Sequence, residues 1–340
     1  MTKTISIAEY SAVRAGGAGL IDLSSRGRIL VSGSEAVMFL NGLITNDMKT
    51  LAAGSWMPAA FANVQGRLLA AARVIHRQDG FLIDTERQTH DTVLQTLDRF
   101  TLAGDFRVAD VTSETASISI QGRSSEEIIR RVLGETAAVE RQKVFNANLA
   151  NGREVTLIRA THTAEDGFDL IAELNDIQNL RELLLKMEVQ SVGDETFDTL
   201  RIEAGIPRYG LDMDDANVVT ETNLDEAVSF TKGCYLGQEI IVRIKHRGHV
   251  AKKLAGIIVE ERSEVENGAQ ILSAEGREIG RVKSSTFSPR LDRTIALGYV
   301  KYDFLSPGTA VRVQTDGGEM ASKVAELPFV RGSWYGGNHG

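Results

Sequence analysis

The chain has 340 residues, 42% of them hydrophobic and 25% charged, with 5 prolines, an ordinary globular composition long enough for two or three domains. A net charge of −8 and a pI near 5.4 weigh against a general nucleic-acid binder and leave room only for a local basic patch. A single cysteine excludes an intramolecular disulfide and points to the reducing cytoplasm, Glu9 and Arg14 argue against a signal peptide, and no stretch approaches the ~20 apolar residues of a membrane span.

Taken in order, Gly16, Gly17 and Gly19 stand before the runs LIDLS and GRILV and read as a turn between two strands; they lack the spacing of either nucleotide fingerprint. Ser32 and Glu35 have the spacing of a capping box, and Ala36, Phe39, Leu40 and Leu43 then share one helical face. Residues 56–63 and 68–75 are predicted strands joined by a hairpin turn over 64–67, with a third strand at 81–84. A helix from 85 to about 100 follows, burying Val93, Leu97 and Phe100. Ser124 and Glu127 repeat the capping-box pattern, and Gly134 ends the helix they open. Strands at 155–159 and 167–171, a helix at 177–187, and a short helix capped by Asp194 and ending at Gly205 complete this part. Strands and helices in this order, without a repeating βα alternation, favour an α+β body over a doubly wound sheet. Beyond Gly248 only short strands remain, punctuated by Asn267–Gly268, Glu275–Gly276, Pro307–Gly308 and Gly317–Gly318, the texture of a small barrel or sandwich. The boundary falls near 244–250, and the glycine-rich end from Gly332 reads as a loose tail.

Polar groups crowd on SFTKGCYLGQEIIVR, residues 229–243, which holds the lone Cys234 between Gly233 and Tyr235. The flanking glycines suit an exposed turn, and residues 240–242 continue as a strand or a buried helix. Cys234 is open to four readings: nucleophile, metal ligand, redox thiol or packing residue. His246 and His249 are its nearest histidines in sequence, and their spacing from it matches no closed zinc site. From Arg243 to Lys253 run Arg243, Lys245, Arg247, Lys252 and Lys253 with two histidines and no acid. This is either a solvated junction or a surface for a polyanion, such as the glutamate tail of a folate or an RNA backbone. Asp212, Asp214 and Asp215 lack EF-hand spacing and read as a solvated loop.

These segments resemble a known family. LRIEAGIPRYGLDM at 200–213, LDEAVSFTKGCYLGQEIIVRIKHRG at 224–248, FLNGLITNDMKTL at 39–51 and FANVQGRLLAAARV at 61–74 are similar to the folate-binding YgfZ family, relatives of the glycine-cleavage T-protein, an aminomethyltransferase. KGCYLGQE at 232–239 is the most specific part. The resemblance implies an α+β, three-domain cloverleaf around a tetrahydrofolate cavity: a folate-binding body of two intertwined domains at 1–245, an antiparallel β-barrel at 250–330, and a flexible tail at 331–340. It implies assembly or repair of iron–sulfur clusters in target enzymes, including radical enzymes that modify tRNA. The implied partners are folate, iron–sulfur enzymes or their assembly proteins, and a weak tRNA contact, with no tightly bound metal. By the same resemblance Glu203 stands where the T-protein carboxylate reads the pterin, since a carboxylate accepts two hydrogens from an aminopyrimidine edge. Lys232 stands at a basic folate contact, Asn63, Tyr209, Gln238 and Arg243 join the folate site, and Cys234 is a functional thiol. One thiol cannot close a cluster alone. Where the T-protein reads GG-hydrophobic-x-DD and supplies a catalytic Asp, this chain has Ala70 and Ala71. Alanine exchanges no proton, so the T-protein reaction is not expected here. The alternative is folate-dependent one-carbon transfer, aminomethyl or demethylating, with Asp47 or Asp84 in the lost role.

Overall fold

The computed structural model describes residues 5–100, 104–134, 140–262 and 264–336. Two sheets with their helices make the body, and a closed barrel follows. In the first sheet the strands run in the order β3 (Trp56–Ala62), β4 (Leu68–Arg77), β5 (Gly80–Thr85), β2 (Gly27–Ser32) and β6 (Arg107–Asp110). The second sheet has β11 (Gln190–Ser191), β1 (Gly19–Asp22), β7 (Thr115–Gln121), β10 (Gly167–Glu173), β9 (Glu154–Arg159) and β8 (Val144–Asn148). The barrel closes through β12 (Lys252–Val259), β15 (Arg293–Lys301), β14 (Glu278–Ser288), β13 (Gln270–Ser273), β16 (Ala310–Thr315) and β17 (Gly318–Ala325). This is the α+β body with an antiparallel barrel that the sequence implies.

The β3–β4 hairpin positions the site. Phe61 pairs with Ala70 and Ala62 with Leu68, so Leu69 is an extra residue that bulges the strand. Alternation then sends Ala59, Phe61, Ala70 and Ala72 into the core beneath α2 (Ala36–Leu43) and α3 (Arg87–Arg99). Ala60, Ala62, Leu68 and Ala71 face the opposite way, against the chain between Tyr209 and Ile241. Both faces of this hairpin are therefore covered, which explains its unbroken apolar run.

Several local expectations are corrected. A helix, α1 (Ile7–Arg14), precedes the glycine turn, so that turn joins a helix to β1 rather than two strands. Ser6 caps α1 by accepting from the Glu9 amide at 3.3 Å, a Ser-x-x-Glu signal that the sequence carries. Ser32 lies within β2 and caps nothing; Glu35 precedes α2 and accepts from the Asp105 amide at 2.6 Å. Ser124 donates to the Gly16 carbonyl at 2.6 Å instead of capping α4 (Ser125–Leu133). Gly193, not Asp194, is the cap position of α6 (Asp194–Glu203). Of the two readings of residues 240–242 the helix holds: they belong to α7 (Gln238–Arg247), with Ile241 fully buried. The tail is not loose over 332–335: Ser333 donates through both its amide and its hydroxyl to Glu165, each at 2.7 Å, and Arg141 lies over the Trp334 ring. Residues 337–340 of the expected tail lie outside the described residues.

Charged side chains join the two sheets. Arg73 on β4 bridges Asp84 on β5 and Asp169 on β10, each at 2.5 Å; Arg26 adds a second cation to Asp84 at 2.8 Å, and His162 Nε2 lies 3.0 Å from Asp169. The barrel is anchored by α6, whose Ile202 packs with Leu254, Ile295, Leu297 and Tyr299. Arg201 of α6 is 1% exposed and ion-pairs with Asp198 and Asp212. Asp212 is fully buried while Asp214 is half-buried and Asp215 exposed, so the reading of that acidic run as a solvated loop is corrected at Asp212. Among the described residues no helix is long and apolar enough to cross a membrane.

Candidate functional site

Two turns that are distant in sequence pack on one another. Asn63 opens the β3–β4 turn: its Oδ1 accepts from the amides of Gln65 at 2.9 Å and Arg67 at 3.0 Å. Gly66 in that turn faces Ile240 and Ile241 at the start of α7. Gly237 closes the other turn at φ +81, and a Cβ there would meet the Asn63 carbonyl at 2.4 Å. Only glycine permits both this conformation and this approach.

The segment 232–235 lies beside that contact, with two side chains inward and the residues between them outward. Lys232 is 7% exposed, and its Nζ donates to the carbonyls of Asn41 at 2.7 Å, Ile44 at 2.9 Å and Asn46 at 2.7 Å. These acceptors lie at the C-terminal end of α2, where a cation is favoured. Burial lowers the ammonium pKa to about 8, and nearby Asp47 works against that. All three donors are used within the protein. Tyr235 is also 7% exposed, its ring centroid 4.9 Å from Lys232 Nζ. Between them Cys234 is exposed, as its flanking glycines imply. Exposure removes the packing reading of this thiol.

Tyr209, half-buried, joins Tyr235, Phe230 and Ala71 in the cluster under the hairpin. Gln238 donates to the Lys232 carbonyl at 3.3 Å and so ties α7 to the turn. Arg243 is exposed on α7 and pairs with Glu239 at 2.9 Å. The structure thus gathers Asn63, Tyr209, Lys232, Cys234, Tyr235 and Gln238 at one place, with Arg243 on the helix leading away.

Glu203 stands apart from them. It is fully buried at the end of α6, and both its oxygens are occupied. Oε1 accepts from Tyr10 at 2.8 Å and from Ser288, while Oε2 accepts from Arg14 Nε at 3.0 Å. In this conformation the carboxylate presents no free oxygen to a ligand. Tyr10 and Arg14 were not legible as site residues; the Ser6-x-x-Glu9 cap was the signal that would have placed them on a helix.

Of the two acids offered for the role lost at Ala70 and Ala71, Asp84 is 1% exposed. Burial tends to raise its carboxyl, but Arg26 and Arg73 overcome that and hold it below the usual carboxylate range. A carboxylate held by two guanidinium groups is a poor proton acceptor. Asp47 is half-buried, caps a short helical turn by accepting from the Lys49 amide at 3.0 Å, and lies near Lys232. Among the described residues no three His, Cys, Asp or Glu side chains gather as metal ligands.

An α+β body of two sheets followed by a closed antiparallel β-barrel is the architecture of the T-protein class. The GCVT N-terminal domain family matches residues 2–232, and the glycine cleavage T-protein C-terminal barrel domain matches residues 252–331. The chain belongs to the glycine cleavage T-protein family. It is 30% identical over 334 residues to an aminomethyltransferase of Geobacillus kaustophilus, covering 95% of this chain and 90% of that one. An aminomethyltransferase of Rubrobacter xylanophilus is also 30% identical, with 95% and 86% covered. The crystal structure of glycine cleavage system aminomethyltransferase T from Bartonella henselae superposes with a TM-score of 0.87 at 24% identity, over 96% of this chain and 89% of that one, which shows the shared fold.

Proposed function

We propose that this chain is a tetrahydrofolate-binding member of its family, of the YgfZ kind, that supports assembly or repair of iron–sulfur clusters in the cytoplasm. The observation that carries this reading is what stands on the β3–β4 face: Ala60, Ala62 and Ala71, with no acid among them. The exposed Cys234 beside that face is the chain's one thiol. Loss of the proton acceptor together with an accessible thiol favours handling of a cluster or a sulfur species over aminomethyl transfer.

The residues present fit a folate. Tyr209 and Phe230 offer aromatic surface, the buried Tyr235 hydroxyl is unpartnered among the described residues, and Arg243 and Lys245 offer cations for glutamate carboxylates. When bound, tetrahydrofolate carries one-carbon units on its reduced ring. The chain's own groups would hold and orient it: the rings of Tyr209 and Phe230 would stack it, and the Lys232 clamp keeps the 232–235 segment in register. Cys234 is left free to bind transiently to a cluster or its carrier, the cluster being cargo.

Aminomethyl transfer is the second reading, favoured by the activity named for the curated relatives. It requires a carboxylate to manage protons at the folate, and Asp47 is the one not locked in a buried ion pair. One comparison separates the two. A deletion strain is complemented with wild type, Cys234→Ser or Asp47→Asn, normalised to soluble protein, and purified wild type is assayed for methylenetetrahydrofolate from an aminomethyl donor. The first reading expects Cys234→Ser to lose at least about tenfold in cluster-enzyme activity, Asp47→Asn to complement, and the assay to stay at background. Formation of methylenetetrahydrofolate that depends on Asp47, with full complementation by Cys234→Ser, would establish the second.

A further inference from the structure

Tyr235 carries a feature that packing does not account for. Its side chain is 7% exposed, yet its hydroxyl has no hydrogen-bond partner among the described residues. Native proteins leave few buried polar groups unpaired, and each such group works against folding. Lys232 and Thr45, by contrast, are paired: Lys232 has its three carbonyls, and Thr45 donates to the Ala227 carbonyl at 2.6 Å.

The ring itself is held in place. Lys232 Nζ lies 4.9 Å from its centroid, and the Tyr235 carbonyl accepts from the Gln238 amide at 3.2 Å. Tyr235 shares its buried cluster with Ala60, Ala62 and Ala71 of the hairpin, which offer methyl groups and no side-chain acceptor. Tyr209 and Phe230, partly buried, pack against the same cluster. Burial pushes the phenol up to about 12, so it keeps its proton across the physiological range and acts as a donor.

We infer that the Tyr235 hydroxyl donates a hydrogen bond to the bound ligand, and that it selects for a flat heteroaromatic carrying a carbonyl oxygen or an unprotonated ring nitrogen. This rests on the folate reading above and adds a specificity-determining residue to it. A fixed, neutral donor among methyl groups and aromatic rings rewards a ligand that stacks and presents an acceptor. A ligand of the same shape lacking the acceptor leaves the hydroxyl unpaired, and such mismatches are strongly disfavoured.

The full-length protein and its Tyr235→Phe variant are titrated with 5-formyltetrahydrofolate by calorimetry, and both are melted without ligand. The variant is expected to bind roughly tenfold more weakly and to melt at or above wild type, because deleting an unpaired hydroxyl breaks no bond. Equal affinity of the two proteins overturns the inference and leaves the folate reading intact. A ligand-free variant that melts clearly below wild type also overturns it, since the hydroxyl then has a partner in the free protein. Absence of binding by wild type at millimolar ligand removes the folate reading, and this inference falls with it.

Discussion

Arg14 places its Nε 3.0 Å and its Nη2 2.9 Å from Glu203 Oε2. A guanidinium edge presents paired N–H donors, as the aminopyrimidine edge of a pterin does. Both Arg14 donors converge on Oε2 while Tyr10 and Ser288 hold Oε1, so Glu203 is fully engaged within the protein. The far end of Arg14 has its own anchors, since Nη1 donates to the Thr163 carbonyl at 2.6 Å and to Glu165 at 3.1 Å. The side chain can thus release Glu203 and remain partnered. If folate reaches Glu203, Arg14→Ala should tighten binding of a reduced folate by roughly tenfold, the worth of a charged hydrogen bond, as read by titration. Weaker or unchanged binding would confine Glu203 to holding α1 and the barrel together. Lys232 is likewise engaged within the protein: its three carbonyl acceptors complete its bonding, so in this conformation it orders the turn.

At the scale of elements, α7 turns a local motif into a surface. Its Ile241 is buried against the hairpin, while Arg243, Lys245 and His246 point outward. Lys245 Nζ lies 3.7 Å from the centroid of the Phe230 ring, which links the basic helix to the aromatic cluster. A folate bound under the hairpin would direct its glutamate tail along this helix. Arg243→Glu with Lys245→Glu should weaken binding of a pentaglutamyl folate by about tenfold or more at low salt and leave a monoglutamate nearly unaffected. Attraction between exposed charges is screened by salt, so the difference should shrink as salt is added. Equal losses for both ligands would place these side chains outside the tail path. At the other end of the chain, Ser333 on Glu165 and the Val330 amide on the Glu203 carbonyl at 3.1 Å strap the barrel's final segment to the body. That strap also holds Glu165, which anchors Arg14.

Across the whole molecule, the row Arg26–Asp84–Arg73–Asp169–His162 is the polar counterpart of the apolar seam of Ile75, Leu82, Ile158 and Ile171 between the two sheets. Burial alone would raise both carboxyls. Their partners, His162 and Arg73 at Asp169, Arg26 and Arg73 at Asp84, depress both below the unfolded value, which is about 3.9. As pH falls, the unfolded chain takes up these protons first. The stabilisation is thus fully present above about pH 4 and is lost as pH falls through and below that value. Arg73→Met should cost about 3–5 kcal/mol at pH 7, as breaking a buried pair does, and the variant should lose less on acidification than wild type. Urea titrations at pH 7 and pH 3 check this; equal acid sensitivity of the two proteins would show that the row does not govern acid stability.

Local pattern in the amino-acid sequence was sufficient for the α+β body, the β3–β4 hairpin and an all-β last part read as a barrel or sandwich, because side-chain alternation and turn residues act over a few positions; the barrel itself was implied only by the family resemblance. It was also sufficient to mark the 232–239 segment and the exposure of Cys234, since glycines report on backbone conformation wherever they occur. It misread the caps at Ser32 and Ser124, where hydroxyl and carboxylate found partners elsewhere in the chain. The occupation of Glu203 depends on Tyr10, 193 positions away, and the clamp on Lys232 depends on Asn41, 191 positions away. No periodicity carries such pairings. A buried charge takes whichever opposite groups the packed elements bring within reach, so only the folded chain determined that Glu203 and Lys232 are satisfied internally while the Tyr235 hydroxyl has no partner among the described residues.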